Sequence, residues 1–351
     1  MRCGKTLILR KRIILPALII GFYSFILSGA IGQTANDYFT TGTNFFIRKQ
    51  YSEAIPYFRN CMSLASSGSN LLEQANFYLI KSYVKLDDET NVLKELDSLR
   101  QRNPNSPALD DLDYDIGFWY FYKNQYTKAA PYFDDLLSNY PDSPYRPEGL
   151  LYQMWLKFYD NNNAGIEQAF SQLTTEFPAS PKVATGWNEK ARFNLMQSNY
   201  TEAEQIYNFV LLTYPQYKWA MADAHNGLGE IALQKKNYND ALTHYQSILS
   251  LNLSHKWNAI AEDFLGYTYR SQGNLDSARL HYQLIIDTYT DQSVYCAGAQ
   301  FKIGECYYDQ HKLINALSAY QTLLSQYPDS TWTTPAQDKI KLVQKLLGQS
   351  K

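Results

Sequence analysis

The sequence is poor in the residues from which reaction centres are made. Its 351 residues hold four cysteines and five histidines. The histidines are His225, His244, His255, His281 and His311. No two of them lie one turn apart on a helix with a carboxylate between, as a helical protease zinc site requires. There is no Gly-x-Ser-x-Gly elbow and no phosphate loop ending in Gly-Lys-Ser/Thr. Gly227-Leu228-Gly229 offers two glycines but lacks the preceding strand and the third glycine that a phosphate cradle needs. The acidic pairs Asp87-Asp88, Asp110-Asp111 and Asp134-Asp135 fall in loops or on helix surfaces, where solvation is the expected role. We therefore expect no enzyme activity, no cofactor and no metal.

Cysteine scarcity also argues against a disulfide scaffold. Cys61 stands where a small packed residue is wanted, so we expect a buried hydrophobe. Cys296 and Cys306 are ten residues apart on one helical stretch. That is ~15 Å along a helix, against the ~7 Å between Cα atoms that a disulfide tolerates.

Basic runs are missing after the N-terminus. Arg2, Lys5, Arg10, Lys11 and Arg12 precede an apolar run, Ile13 to Leu27, and the small residues Ser28-Gly29-Ala30-Ile31-Gly32. This order is that of a secretory signal, with cleavage expected after Ala30 or Gly32. The alternative is a retained anchor over residues 13–32, a length about equal to a bilayer span. Loss of these five positive charges takes the formal net charge from −2 to −7. Such a chain is a poor ligand for phosphate backbones, and no nucleic-acid partner is expected. Membrane contact is expected only through a retained segment or through partners.

What the sequence does contain is a period. Pro104, Pro141, Pro178 and Pro215 are evenly spaced, 37 residues apart. A fixed period of this size signals stacked helical units. The unit is clearest from Asp111 to Pro141. Ile116-Gly117 and Tyr120 lie on a first helix, and Lys123-Asn124-Gln125 makes a polar break. Ala129, Tyr132, Phe133, Leu136 and Leu137 follow at offsets 0, 3, 4, 7 and 8, one face of a second helix. The sequence Asn139-Tyr140-Pro141 ends it, because proline cannot continue a helix. The glycine and the alanine mark a close approach of the two helices. One pair cannot bury its apolar faces alone, so units must stack. The 30 tyrosines largely occupy such packing positions.

These residues resemble the tetratricopeptide repeat (TPR) family, whose units of ~34 residues carry Leu-Gly, Tyr, Ala, Phe and Pro at set places. The pattern recurs in eight units. It includes Gly42, Ala54 and Phe58 in the first, and Leu79, Leu96 and Pro104 in the second. The sixth carries Leu228-Gly229, Ala241 and Tyr245; the seventh Leu265-Gly266, Ala278 and Tyr282; the eighth Ile303-Gly304, Ala316 and Tyr320. Unit four is the most divergent. The implied fold is an all-α, right-handed solenoid of about eight helix pairs, mostly 37 residues long. It would span 33–331, read as one elongated domain after an N-terminal signal over 1–32. A capping helix and tail fill 332–351, with Ile340, Leu342, Val343, Leu346 and Leu347 on its apolar side. Asn252 and Tyr289 replace the closing proline in units six and seven, so looser exit loops are expected there. Pro56 and Pro131 fall early in second helices, where a kink or late start is expected.

In this family ligand peptides lie in a concave groove lined by first helices. Carried over, the lining is Tyr114, Phe118, Phe121 and Tyr122 in unit three, and Leu151, Trp155, Phe158 and Tyr159 in unit four. Asn188, Arg192, Asn226, Glu230, Asp263 and Arg270 continue it. Exposed aromatics of this kind anchor partners, whereas the same rings could instead fill space between helices. The resemblance extends to TPR domains of bacterial envelope proteins, of the outer-membrane assembly lipoprotein and Tol–Pal coordinator type. It implies a periplasmic scaffold for envelope proteins or peptides. The competing readings are a glycan or peptidoglycan binder that stacks sugars on Trp155 and its neighbours, and a hydrolase.

Overall fold

The computed structural model describes residues 33–349. The expected signal lies outside the described residues. Among the described residues all regular structure is helical, and no helix is long and apolar enough to cross a membrane.

The chain divides into two compact units, before and after the Ser106–Pro107 bond. The first holds α1 (Ala35–Ile47), α2 (Tyr51–Leu64), α3 (Asn70–Lys85) and α4 (Glu89–Arg102). The second holds α5 (Leu109–Tyr122), α6 (Tyr126–Asn139), α7 (Arg146–Tyr159), α8 (Asn163–Glu176), α9 (Lys182–Met196) and α10 (Tyr200–Thr213). It continues with α11 (Lys218–Gln234), α12 (Tyr238–Ser250), α13 (His255–Ser271), α14 (Leu275–Thr288), α15 (Ser293–Asp309), α16 (Leu313–Gln326) and α17 (Thr333–Gln349). Within each unit every helix packs on the next, which is the construction of an α-solenoid. The eight helix pairs coincide with the eight repeats read from the sequence.

Each pair is closed by the same turn. One exposed left-handed residue sits between the two helices: Lys49, Asp87, Asn124, Asn161, Ser198, Lys236, Gly273 and His311. The residue after it returns its amide to the carbonyl five back, as in Gln125 to Tyr120 at 2.9 Å and Lys312 to Tyr307 at 2.9 Å. This satisfies carbonyls that a helix end otherwise leaves orphaned. Only one of the eight positions is glycine, so seven carry the steric cost of left-handed backbone.

The pair interface rests on a small residue under a ring. Gly42 faces Phe58, Gly117 faces Phe133, Gly229 faces Tyr245, Gly266 faces Tyr282 and Gly304 faces Tyr320. The spacing along the chain is identical in all five. A β-carbon at Gly266 would sit 2.5 Å from the Tyr282 ring. Ala54, Ala129, Ala203, Ala241, Ala278 and Ala316 are fully buried on the opposing second helices. Unit two replaces this device with aliphatic packing of Leu79 near Val92, Leu96 and Leu99, all buried. Gly227, the other glycine of the rejected phosphate loop, lies under Tyr207 of the preceding pair.

Exit loops that carry the closing proline share one backbone bond. The residue before each closing proline accepts the amide three residues on, as in Ser143 to Tyr140 at 3.1 Å and Ser180 to Phe177 at 2.8 Å. The hydroxyls of Ser143, Ser180 and Ser330 then accept the amide two residues later, starting the next helix. Unit seven corrects the sequence reading. Tyr289 occupies the pre-proline place and is buried, Gln292 donates to it at 2.8 Å, and Thr290 stands where proline would. The backbone bond, not the proline, sets this loop. Unit six differs, ending with Asn252 in the left-handed region at φ 50°.

Two further expectations are corrected. Helices α2 and α6 begin at Tyr51 and Tyr126, five residues before Pro56 and Pro131, and run through them. No late start occurs, because the carbonyls deprived of a donor belong to exposed Ser52 and Thr127 and can accept from solvent. In α17, Ala336 and Val343 are buried against Phe301, Tyr320 and Leu323, while Leu342 is exposed rather than docked. Cys61, Cys296 and Cys306 are free and buried.

Gly266→Val should destabilise the second unit by about 2–3 kcal/mol through overpacking against Tyr282. Gly348→Ala, with nothing near it, should leave the thermal midpoint unchanged or slightly higher. Lys236→Gly, at an exposed left-handed turn, should raise stability by about 0.5–1 kcal/mol, checked by chemical denaturation.

Candidate functional site, the inner wall of the second unit

First helices of adjacent pairs approach one another in the second unit: α7 meets α9, α9 meets α11, α11 meets α13 and α13 meets α15. Second helices do not approach their counterparts to a comparable degree. The more tightly packed layer is the inside of a curve, so the odd-numbered helices form the inner wall. Helices α5 and α7 stay further apart than these, and rings fill the gap.

Tyr152 is the centre of that filling. Its ring lies 5.0 Å from Phe121, 5.0 Å from Phe133, 5.6 Å from Phe118 and 6.2 Å from Tyr114. Tyr114 stacks on Tyr145 at 4.9 Å, and the Tyr145 hydroxyl donates to Asp111 at 2.7 Å. Phe121 and Tyr114 are thus half-buried between helices. Phe118, Tyr122 and Tyr159 reach solvent, with 41%, 80% and 40% of their surface exposed. Tyr159 stacks on Tyr126 at 4.1 Å. Trp155 and Phe158 are half-buried and pack on Phe193 at 4.8 and 4.6 Å. Burial and hydrogen bonding push the hydroxyls of Tyr114 and Tyr145 above the ordinary phenol range. Leu151 is buried, and Asn188 is buried with its amide donating to the Ala220 carbonyl at 2.9 Å. Both serve packing and do not line the wall.

Beyond the rings the wall turns acidic. Glu189 and Arg192 lie one turn apart on α9, and Asp223 and Glu230 project from α11. The Arg192 guanidinium is 3.6 Å from both Glu189 and Asp223. Trp155 lies beside Glu189, where the acidic stretch meets the aromatic one. The second oxygen of Glu189, Oε2, is buried without a hydrogen-bond partner, as is Oδ1 of Asn226. Burial pushes the Glu189 carboxyl up to about 7, with Arg192 opposing and Asp223 adding to the rise. It lifts Asp223 to about 6, against the pull of Arg192, and raises Glu230 as well.

Further along, charges are matched. Asp263 is held by Lys302 at 2.6 Å, and Arg270 by Glu305 and Asp309 at 3.4 and 2.7 Å. Arg270 is therefore committed to its own neighbours. His225 and His244 face each other between α11 and α12, Nδ1 to Nδ1, at 3.2 Å. Burial, helped by His244, lowers His225 to about 4. His281 contacts Glu262 at 2.6 Å. Among the described residues no three His, Cys, Asp or Glu side chains are placed to hold a metal ion.

Sequence reasoning missed Tyr126, Tyr145, Tyr152 and Phe193, which lie off the carried-over positions. It also missed Glu189 and Asp223. Only the i, i+3 spacing of Glu189 and Arg192 could have hinted at the acidic stretch.

The acids give a pH signature. Glu189 titrates near 4.3 when unfolded and near 7 when folded, so folding takes up a proton between those values. Its contribution to stability is complete below pH ~4.3 and is lost as pH rises through ~7. Glu189→Gln should therefore stabilise at pH 8 by on the order of 2 kcal/mol, the gain shrinking as pH falls and vanishing below pH ~4.3. His225 and His244, lowered in the fold, act in the opposite direction below their free value of ~6.5. The difference between variant and wild-type melting at each pH removes their contribution.

One tetratricopeptide repeat model matches residues 220–291, and a second matches 111–143 and 299–330. No curated protein matches the chain in sequence. Among solved structures, a tetratricopeptide repeat protein from Parabacteroides merdae superposes with TM-score 0.55 at 16% identity, over 75% of this chain and 96% of that one. PilW, described as a type IV pilus biogenesis factor, gives 0.49 at 16% identity, over 67% and 98%. PilF of Pseudomonas aeruginosa gives 0.46 at 16% identity, over 68% and 97%. The matched stretches fall on helix pairs closed by the recurrent turn and a ring-on-glycine contact, and they are tetratricopeptide repeats.

Proposed function

We propose that this chain is an exported scaffold that holds other cell-envelope proteins, or segments of them, against the inner wall of its second unit. The tetratricopeptide fold is in general a protein-interaction scaffold without catalytic machinery. The observation that carries the reading is the solvent-facing set Phe118, Tyr122 and Tyr159 on one wall. Exposed large rings beside polar residues mark contact surfaces, and aromatics are favoured anchors. Export is inferred from the basic, apolar and small order of residues 1–32, and the mature N-terminus together with cell fractionation tests it.

The glycan reading competes for the same rings. Sugars stack on free ring faces, but Tyr126 and Tyr159 already cover one another, as do Tyr114 and Tyr145. This favours a protein segment, whose side chains fit between rings.

The double variant Phe118→Ser/Tyr122→Ser should reduce capture of envelope proteins by crosslinking about tenfold or more, as expected for loss of anchor residues. Its thermal midpoint should stay close to that of wild type, because both side chains are exposed. Capture at the wild-type level would remove the groove from this role. Retention of the wild-type chain on purified peptidoglycan, lost in the double variant, would favour the glycan reading instead. Trp155→Ala is a poorer probe, since loss of its contacts with Phe193 and Glu189 should lower stability by about 3 kcal/mol.

A further inference from the structure

We propose that the wall from Trp155 to Glu230 recognises a lysine or arginine side chain of the bound segment, with the rings of α5 and α7 taking the apolar side chain beside it. The inference rests on the groove reading and names the chemistry of its occupant.

Charge complementarity carries it. Three carboxylates, Glu189, Asp223 and Glu230, surround a single guanidinium, Arg192. That guanidinium stands 3.6 Å from the two nearest acids, a Coulombic distance beyond hydrogen bonding. The acids are therefore under-matched in charge and in donors. Glu189 Oε2, which faces Arg192 Nε at 3.6 Å, and Asn226 Oδ1 are buried acceptors without a hydrogen bond. Buried acceptors left without a donor are costly, and three carboxylates here share one positive charge. The neighbouring acids of the wall show the contrast, because Asp263, Glu305 and Asp309 each have a lysine or arginine from an adjacent helix.

The surroundings suit a long cationic side chain. Trp155 lies beside Glu189 and 5.7 Å from Tyr159, whose ring is exposed. A methylene stem can lie along these rings while its charged head meets the carboxylates, and an indole face attracts such a head. The apolar neighbour on the segment would fall on Tyr159, Phe118 and Tyr122. A charge network that only fixes α9 against α11 would instead lose stability when its acids are neutralised, and it would show no preference for cationic peptides.

The test uses the full chain. Random-sequence peptides displayed on phage are selected on it, and enriched peptides are synthesised with each Lys or Arg kept or changed to Gln. Enriched sequences should place Lys or Arg beside an aromatic or aliphatic residue. The change to Gln should weaken Kd by about tenfold or more on wild type, the loss of a charge-assisted contact. On the Glu189→Gln/Asp223→Asn variant the same change should have little effect, and that variant should melt at or above the wild-type temperature at pH 8. Selection of acidic or uncharged peptides, failure to enrich any peptide, an undiminished Lys-to-Gln effect on the variant, or a lowered melting temperature with binding intact would each overturn the proposal. The outcomes separate the two readings. If Phe118→Ser/Tyr122→Ser abolishes envelope capture and Glu189→Gln/Asp223→Asn does not, the groove stands and the cation site falls.

Discussion

The contact on which the structure depends is a ring of one helix seated on the bare backbone of its partner. Five pairs place glycine on the first helix and Phe or Tyr at one constant spacing from it on the second. The missing side chain allows close approach, and the ring supplies the buried area that the glycine cannot. Because ring and glycine keep that spacing, the length of the connecting turn is fixed too. That is why one left-handed residue recurs in every pair, mostly without glycine to ease it. The steric cost of that residue is offset by packing that no other turn length would permit.

Tight pairs have a consequence for the surface. Once the second helices carry the large rings, the first helices can approach their neighbours and form a continuous inner layer. Where they do, between α7 and α15, the wall is polar and its charges are set by individual residues. Where they stay apart, between α5 and α7, rings fill the space and some of them emerge into solvent. The aromatic stretch and the acidic stretch meet at Trp155, whose indole packs on Phe193 and lies beside Glu189.

The divergent unit four is instructive. Met154 and Phe170 keep the register of the other pairs without glycine, and both are buried. Its glycine is instead Gly149, lying against Leu136 of the preceding helix. The close approach has moved from within the pair to between pairs. This shift accompanies the wider spacing of α5 and α7 and the rings that occupy it.

Period, helix pairing, turn positions and the capping helix were legible in the sequence, because each depends on residues close along the chain. A glycine, a ring at a set distance after it and a polar break between them specify a helix pair whatever lies elsewhere. Separating exposed from buried rings was not legible, since Phe118 and Phe121 are alike in sequence and differ only in how far α7 stands from α5. Nor was the state of the acids. Glu189 and Asp223 belong to different repeats, and only the stacking of α9 on α11 sets both beside one arginine and largely out of water. Local spacing determined the repeat, and the distances between repeats decided the surface, because electrostatics and burial depend on neighbours that only tertiary packing supplies.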